Sequence, residues 1–420
     1  VTDTIVAISS GAAPAAIAVI RVSGPQAAVV AEALAGGVPE PRRAVLRTLR
    51  DGGAALDRAL VLWFPGPGTA TGEDLLELHV HGGRAVIAAV ERAVTALPGV
   101  RGALPGEFTR RALLNGRIDL AQASGLADLL SAETETQRRA ALAAAEGALS
   151  RDVARWLDAL LGIRALVEAM IDHDDEEDVG DHGAAVAAAI AQLRGELAVT
   201  LSRPTVEQAS AGIRVVLAGP PNAGKSSLFN ALLGRDAAIV TPIAGTTRDR
   251  IDAIVHRDGR TFTLVDTAGL TETDDPVERE GVVRSHAAMA VADVVLWLGD
   301  PAEAGQGVAI HSRCDLPGRD AVPMGSLAVS ALDPGSVEAV WALVAVRAES
   351  LSLTTESYLL HAAQRAILEA AAADLATDAS DPLIRAEALR RASRGLARLV
   401  GVDETEAVLD RLFARFCIGK

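Results

Sequence analysis

The chain is poor in aromatic side chains: 6 Phe, 4 Trp and 1 Tyr make up 3% of its 420 residues. A sheet that stacks unpaired bases on exposed rings needs more, so that mode of RNA recognition is disfavoured. Its two cysteines, Cys314 and Cys417, cannot build a disulfide framework and suit a reducing compartment. Basic residues are outnumbered, 40 Lys+Arg against 55 Asp+Glu, and the net charge of −15 argues against non-specific nucleic-acid binding. A local basic groove remains compatible with that balance. No basic segment followed by an apolar core and a cleavage site opens the chain, so no secretory signal is read. No apolar run reaches the ~18–20 residues a membrane helix needs. These absences point to a cytoplasmic protein with no membrane association.

What is present is half apolar and 23% charged, which excludes a largely disordered chain. The length suits two to four domains. Residues 1–117 alternate short apolar runs with Gly/Pro turns. Ile5–Ile8, Ala16–Ile20 and Ala59–Phe64 read as strands, and Gly24–Ala35 and Arg84–Leu97 as helices, giving an α+β domain. Residues 118–210 read as the first part of a helical domain, where Val153, Trp156, Leu157, Leu160, Ile163, Val167 and Met170 share one helical face. The acidic run Asp172–Asp178 reads as a solvated loop, and Ala184–Leu201 as another helix. Residues 211–347 switch to strand–loop–helix repeats, an α/β block of P-loop type inserted into the helical domain. Residues 348–420 return to helix as its second part.

The α/β block carries the chemistry. Strand Val215–Leu217 runs into Gly219-Pro220-Pro221-Asn222-Ala223-Gly224-Lys225-Ser226, which fits G-x-x-x-x-G-K-[ST], with Ser227–Leu233 as the following helix. Such a loop wraps phosphates with backbone amides. Lys225 supplies a charge at the β/γ oxygens and the Ser226 hydroxyl can ligate Mg²⁺. Gly245-Thr246-Thr247-Arg248-Asp249 offers a threonine suited to sensing the γ-phosphate. Strand Phe262–Val265 leads to Asp266-Thr267-Ala268-Gly269, where Asp266 supports the metal and Gly269 can approach the γ-phosphate. After strands Val294–Leu298 and Val308–His311, Ser312-Arg313-Cys314-Asp315 stands where GTPases place Asn-Lys-x-Asp. An aspartate at 315 accepts from guanine N1 and N2, which adenine cannot match. Ser330-Ala331-Leu332, after strand Leu327–Val329, resembles the last base-contacting loop. The ordered set marks a GTP-binding domain. Ser312 in place of Asn costs one amide hydrogen bond, so weaker or less selective guanine binding is expected, with the Arg313 stem able to cover the base. Leu270 stands where Ras-like enzymes carry a water-orienting glutamine, so another group must orient water if hydrolysis occurs.

With the loop Thr241-Pro242-Ile243-Ala244-Gly245-Thr246-Thr247-Arg248-Asp249, the chain resembles the tRNA uridine-5-carboxymethylaminomethyl modification GTPases, the MnmE or TrmE family. Further carriers of the likeness are Asp3–Ala7, Ile20–Gly24, Thr71–Leu78, His81–Gly83, Pro105–Ala112 and the ending Phe416-Cys417-Ile418-Gly419-Lys420, so it spans essentially the whole length. The resemblance implies a potassium ion in place of an arginine finger, with ligands from Asn222, Thr241, Ile243 and Thr246, and Mg²⁺ on Ser226 and Thr247. Glu278 would organise water, and Cys417 has been proposed as catalytic in the family. It further implies an N-terminal domain that dimerises and binds 5-formyl- or methylene-tetrahydrofolate through Arg21, Glu77, Arg117 and Lys420, a homodimer, and an FAD-containing partner of the GidA/MnmG type in a heterotetramer acting on tRNA. Position 117 is usually lysine in the family and arginine here.

Two rival readings stay open at this point. A ribosome-assembly GTPase of the Era/Der type would only dock on RNA, though such proteins usually carry an appended basic domain. A degenerate GTPase serving as a scaffold is motivated by Ser312 and Arg313. His79 and His81 at alternate strand positions read as structural rather than metal ligands, with no cysteine or further histidine nearby.

Overall fold

A computed structural model describes residues 3–172, 182–234, 251–267, 288–349, 358–377, 381–401, 412–413, 416 and 419. The chain divides into two compact units. One comprises Val1–Leu130, Ala144–Arg194 and Ala370–Lys420, the other Ser131–Ala143 and Gly195–Glu369. The acidic run from Asp172 to Asp178 falls outside the described residues beyond its first member.

In the first unit, β1 (Thr4–Ile8), β2 (Ile17–Ser23), β3 (Val45–Asp51), β4 (Ala54–Phe64), β5 (Leu75–His81) and β6 (Val100–Gly102) form one sheet in the order β3-β4-β5-β2-β1-β6. Its pairs are antiparallel except β1 with β6. Alternation along the strands puts Val6, Ile20, Val22, Leu76 and Leu78 on one face, in a core shared with Val30 and Leu34 of α1 (Ala27–Ala35) and Val90 and Val94 of α2 (Arg84–Thr95). Ile5 and Ala7 point the other way and pack on Phe108 of α3 (Glu107–Leu114). β3 has no counterpart in the sequence reading, because a single residue, Leu49, is buried on it and polar residues surround that position.

Arg111, on α3, is 2% exposed and gathers acids from three segments. Its guanidinium donates to Asp3 Oδ1 at 2.8 Å, to both carboxylate oxygens of Glu73 at 3.2 Å and to Glu107 Oε1 at 3.1 Å. Buried charge is tolerated only with such partners. For Glu107, burial pulls its pKa up, but donors from Arg101, the Leu104 amide and Arg111 outweigh it and leave the value lowered.

The helical elements are α4 (Leu120–Ser131), α5 (Glu135–Ala145), α6 (Ala148–Asp172) and α7 (His182–Leu201), with α8 to α12 following below. On α6, Val153, Trp156, Leu160, Ile163 and Val167 are buried as the helical spacing predicts, while Leu157 and Met170 are half-buried. Within α7, Gly183–Leu201 is long and apolar enough to cross a membrane by length and composition, with mean hydropathy 1.4. That corrects the expectation drawn from uninterrupted runs. Its apolarity comes largely from alanine, and Gln192, Arg194 and Glu196 break it. Val186, Leu193 and Leu197 form its buried stripe.

In the second unit, β7 (Ile213–Ala218), β8 (Ile251–Arg257), β9 (Arg260–Asp266), β10 (Val294–Trp297), β11 (Val308–Ser312) and β12 (Leu327–Val329) form a sheet in the order β12-β11-β10-β7-β9-β8. It is parallel except for the β8–β9 hairpin, closed by Asp258 and Gly259 at φ 49° and 75°, the Asp-Gly signature of a two-residue turn. Both faces are covered, as parallel sheets require. Val215 and Leu217 face a core with Leu228, Phe229, Val340 and Trp341 of α9 (Lys225–Leu233) and α10 (Pro334–Glu349), and Val216 and Ala218 face Val265 and Trp297. The short α8 (Val206–Ala211) starts with a capping box of Thr205 and Gln208. Of the last helices, α11 (Ala362–Leu375) and α12 (Pro382–Leu399), α12 begins on an Asp381 cap followed by proline and packs on α6.

Replacing Arg111 by alanine leaves Glu73 and Glu107 buried without their cation and is expected to cost about 3–5 kcal/mol. Urea titration read by amide exchange in β1 and β2 measures that loss. Because the folded pKa of Glu107 lies below the ordinary 4.5, its contribution is full above that value and is lost as pH falls through the folded one. The same exchange measurement should show protection declining on acidification below pH 4.5.

Candidate functional site

The second unit brings the phosphate-loop residues to the carboxyl end of the parallel strands. β7 ends at Ala218, and Gly219 turns the chain at φ 142°, where a Cβ would stand 2.9 Å from the Leu298 backbone. Only glycine fits so close an approach. Asn222 takes the left-handed region at φ 57°, and Gly224, at φ 93°, is the N-cap of α9. The helix begins at Lys225, two residues before the sequence placed it, because the glycine cap allows the loop to enter the helix directly.

Lys225 is 6% exposed and its ammonium donates to Gly219 O at 3.0 Å and Pro220 O at 2.9 Å. Burial pushes its pKa down, and the nearby Asp266 charge pulls it partly back. Ser226 Oγ donates to Asp266 Oδ2 at 2.7 Å, while Asp266 Oδ1 is buried and has no partner among the described residues. A hydroxyl beside a carboxylate with a free oxygen is the donor set of a hard divalent cation, so these residues fit Mg²⁺. Thr267 is buried, and its hydroxyl donates to Leu217 O at 2.7 Å, fastening the end of β9 to β7. Ala223 and Ser227 flank these groups on the loop and on α9.

The base-reading segment adjoins the same loop. Ser312, at the end of β11 and 6% exposed, donates from Oγ to Ala223 O at 2.5 Å. A serine thus restores a link that the missing asparagine amide would have made, which amends the expected loss. Arg313, at φ 57°, lies over the loop, since a Cβ on Gly224 would stand 3.2 Å from its Nε. Asp315 is exposed beyond the strand, with no partner among the described residues. Ser330 is buried, and its hydroxyl accepts from the Leu332 amide at 3.2 Å, shaping the turn in which Ala331 is half-buried and Leu332 exposed. Thr241, Pro242, Ile243, Ala244, Gly245, Thr246, Thr247, Ala268, Gly269 and Glu278 lie outside the described residues.

In the first unit, Arg21 of β2 and Glu77 of β5 are direct cross-strand partners. Arg21 donates to Glu77 Oε1 from Nη2 at 2.8 Å and Nε at 3.1 Å, and His79 Nε2 meets Oε2 at 3.2 Å. Burial would raise the Glu77 pKa, but the Arg21 and His79 hydrogen bonds and charges outweigh it and hold the carboxylate ionised. His79 is therefore part of this cluster, which its alternation with Glu77 on one strand could have signalled. His81 pairs instead with Asp57 at 2.7 Å. Arg117 is exposed and donates to Thr69 O at 3.2 Å, and no bond joins it to the Arg21–Glu77 pair among the described residues. Cys417 and Lys420 lie outside the described residues. Gly419 beside them is held to the end of β1, where Ser9 Oγ donates to its carbonyl at 2.7 Å.

Removing the Ser312 hydroxyl deletes one buried bond, worth about 0.5–1.5 kcal/mol. Ser312→Ala is therefore expected to weaken GDP binding by roughly two- to tenfold on the same free-energy scale, with Ser312→Asn recovering it, as read by fluorescent-nucleotide titration.

Family comparison places these features together. Residues 4–117 match the profile of the GTP-binding protein TrmE N-terminus, and residues 120–417 that of the MnmE helical domain. The chain is 52% identical to the tRNA modification GTPase MnmE of Erythrobacter litoralis, over 100% of each chain. It is 53% identical to that of Rhizorhabdus wittichii, over 100% of this chain and 97% of the relative. Among solved structures, Era of Aquifex aeolicus is similar over 40% of this chain and 69% of its own, at 20% identity and a TM-score of 0.26. With family profiles matched along nearly the whole chain and full-length relatives sharing half its residues, the chain belongs to the MnmE (TrmE) family of tRNA modification GTPases.

Proposed function

We propose that the chain hydrolyses GTP to GDP and phosphate and couples that cycle to modification of the tRNA wobble uridine, installing a carboxymethylaminomethyl group at C5. The observation that carries the GTPase part is the cluster of Lys225, Ser226 and Asp266 at the end of β7 and β9, with one Asp266 oxygen left without a protein partner. Ser226 and Thr247 hold Mg²⁺ with Asp266 in support, and the ion supplies positive charge against the β- and γ-phosphates. Lys225 binds the same oxygens, and Asp315 reads guanine beside Ser330, Ala331 and Leu332.

No arginine finger is assigned, and Leu270 cannot orient water. In this reading K⁺ is held by Asn222, Thr241, Ile243 and Thr246 when two nucleotide domains pair, and neutralises charge between the phosphates. Glu278 orients the attacking water. Cys417 is the proposed nucleophile of the modification chemistry.

The first unit is read as the folate site. Glu77, ionised and with lone pairs beyond those taken by Arg21 and His79, can accept from a pterin donor edge. Arg117 and Lys420 suit the folate carboxylates. The docking of Gly419 on Ser9 supports the presence of the chain end near this sheet. The 5-formyl- or methylene-tetrahydrofolate would supply the one-carbon unit. An FAD-containing partner of the GidA/MnmG type, in a heterotetramer with the homodimer, would supply redox chemistry and much of the basic tRNA surface that a chain of net charge −15 lacks. The location proposed is cytoplasmic.

Steady-state GTP hydrolysis in matched potassium and sodium buffers tests the ion. Turnover is expected to be at least tenfold faster in potassium, with the stimulation lost in Asn222→Ala and Glu278→Ala, and equal rates in the two salts would remove the ion from the mechanism. For the folate site, Glu77→Ala should abolish saturable 5-formyltetrahydrofolate binding in calorimetry while GTP affinity stays unchanged.

A further inference from the structure

The second unit holds a cavity of about 630 Å³ that the nucleotide site does not use. It opens at the amino ends of β7 and β9, where Arg214 and Thr263 are register partners. Gly219 and Asp266 stand at the opposite ends of those strands. Its volume falls in the range of small-molecule sites, about 300–1,000 Å³.

The lining has two kinds of surface. Ile213, Pro204, Val291 and Leu359 give an apolar wall. Arg214 and Arg260 bring two guanidinium groups with donors to spare. Arg214 Nε is buried with no acceptor among the described residues, and its Nη2 stands 3.6 Å from the Asp252 carboxylate, beyond a normal hydrogen bond. Arg260 makes one long bond among the described residues, from Nη1 to Ala345 O at 3.4 Å. The two acids on the lining are otherwise engaged. Asp293 Oδ2 accepts from the Arg214 backbone amide at 2.7 Å, and burial raises its pKa. Asp258 sits at the exposed hairpin tip, 3.6 Å from Arg257.

We propose that this cavity is a second binding site, for a small organic anion whose carboxylate or sulfonate meets Arg260 and Arg214 while an apolar body lies on Val291 and Leu359. A guanidinium fork pairs with a planar or tetrahedral oxyanion through two donors at once, which a neutral ligand cannot match. The assignment is independent of the nucleotide and folate readings, since it uses none of their residues.

Fluorescence titration of the full chain with 8-anilinonaphthalene-1-sulfonate tests it. The probe should show one saturable site that weakens at least tenfold in Arg260→Ala, where the anion loses its cation. It should weaken equally in Val291→Trp, which fills the mouth from an exposed position, with GDP affinity unaltered in both variants. Equal probe affinity in all three proteins, or no saturable binding to the unaltered chain, overturns the proposal.

Discussion

One buried ammonium governs the nucleotide-binding unit. Lys225 lies inside a loop whose carbonyls it already engages, and burial opposes its charge. A cation kept there without an anion is costly, so the loop is built for a negatively charged ligand. The parallel pairing of β7 with β9 makes this possible. It sets Leu217 beside Asp266, so that the carboxylate arrives next to Ser226 and Lys225. Thr267 then closes the arrangement by bonding back to Leu217. From the other side, Ser312 ties β11 to Ala223, so the phosphate-binding and base-reading segments share one support.

The folate-binding reading of the first unit rests on a similar economy of charge. Arg111 neutralises acids from the first strand, the 69–73 loop and its own helix, and so fixes the edge of the sheet. Two strands further in, Arg21 and His79 hold Glu77 ionised rather than letting burial protonate it. A carboxylate kept charged in a half-buried place is poised to accept hydrogen bonds.

The sequence made some of this legible and left the rest hidden, for physical reasons. Periodicity located the buried face of α6 and the strands of the second sheet, since full burial on both sides writes itself as continuous apolar runs. The phosphate loop was legible because its glycines and lysine answer to close approach and charge. Lysine itself carries a signal: Lys225 and Lys420 are the chain's two lysines, set against arginine at every other basic position. A compact ammonium is retained where a planar guanidinium would not fit the loop. β3 and β8 were not legible, because their exposed, polar positions dilute the pattern. The Asp258-Gly259 turn was the available clue to the β8–β9 hairpin. The contact between Arg21 and Glu77 spans 56 residues, and no spacing rule reports it. Nor does any local pattern say that Ser131–Ala143 packs with the nucleotide-binding unit.

The claim on which the rest depends is that Asp266 and Ser226 form a cation site beside Lys225. Calorimetric titration of GDP, with and without Mg²⁺, into the unaltered chain and into Asp266→Asn tests it most directly. The account predicts that Mg²⁺ tightens GDP binding to the unaltered chain and that this gain disappears in the variant, while binding without Mg²⁺ changes little. The same Mg²⁺ gain in both proteins would contradict it.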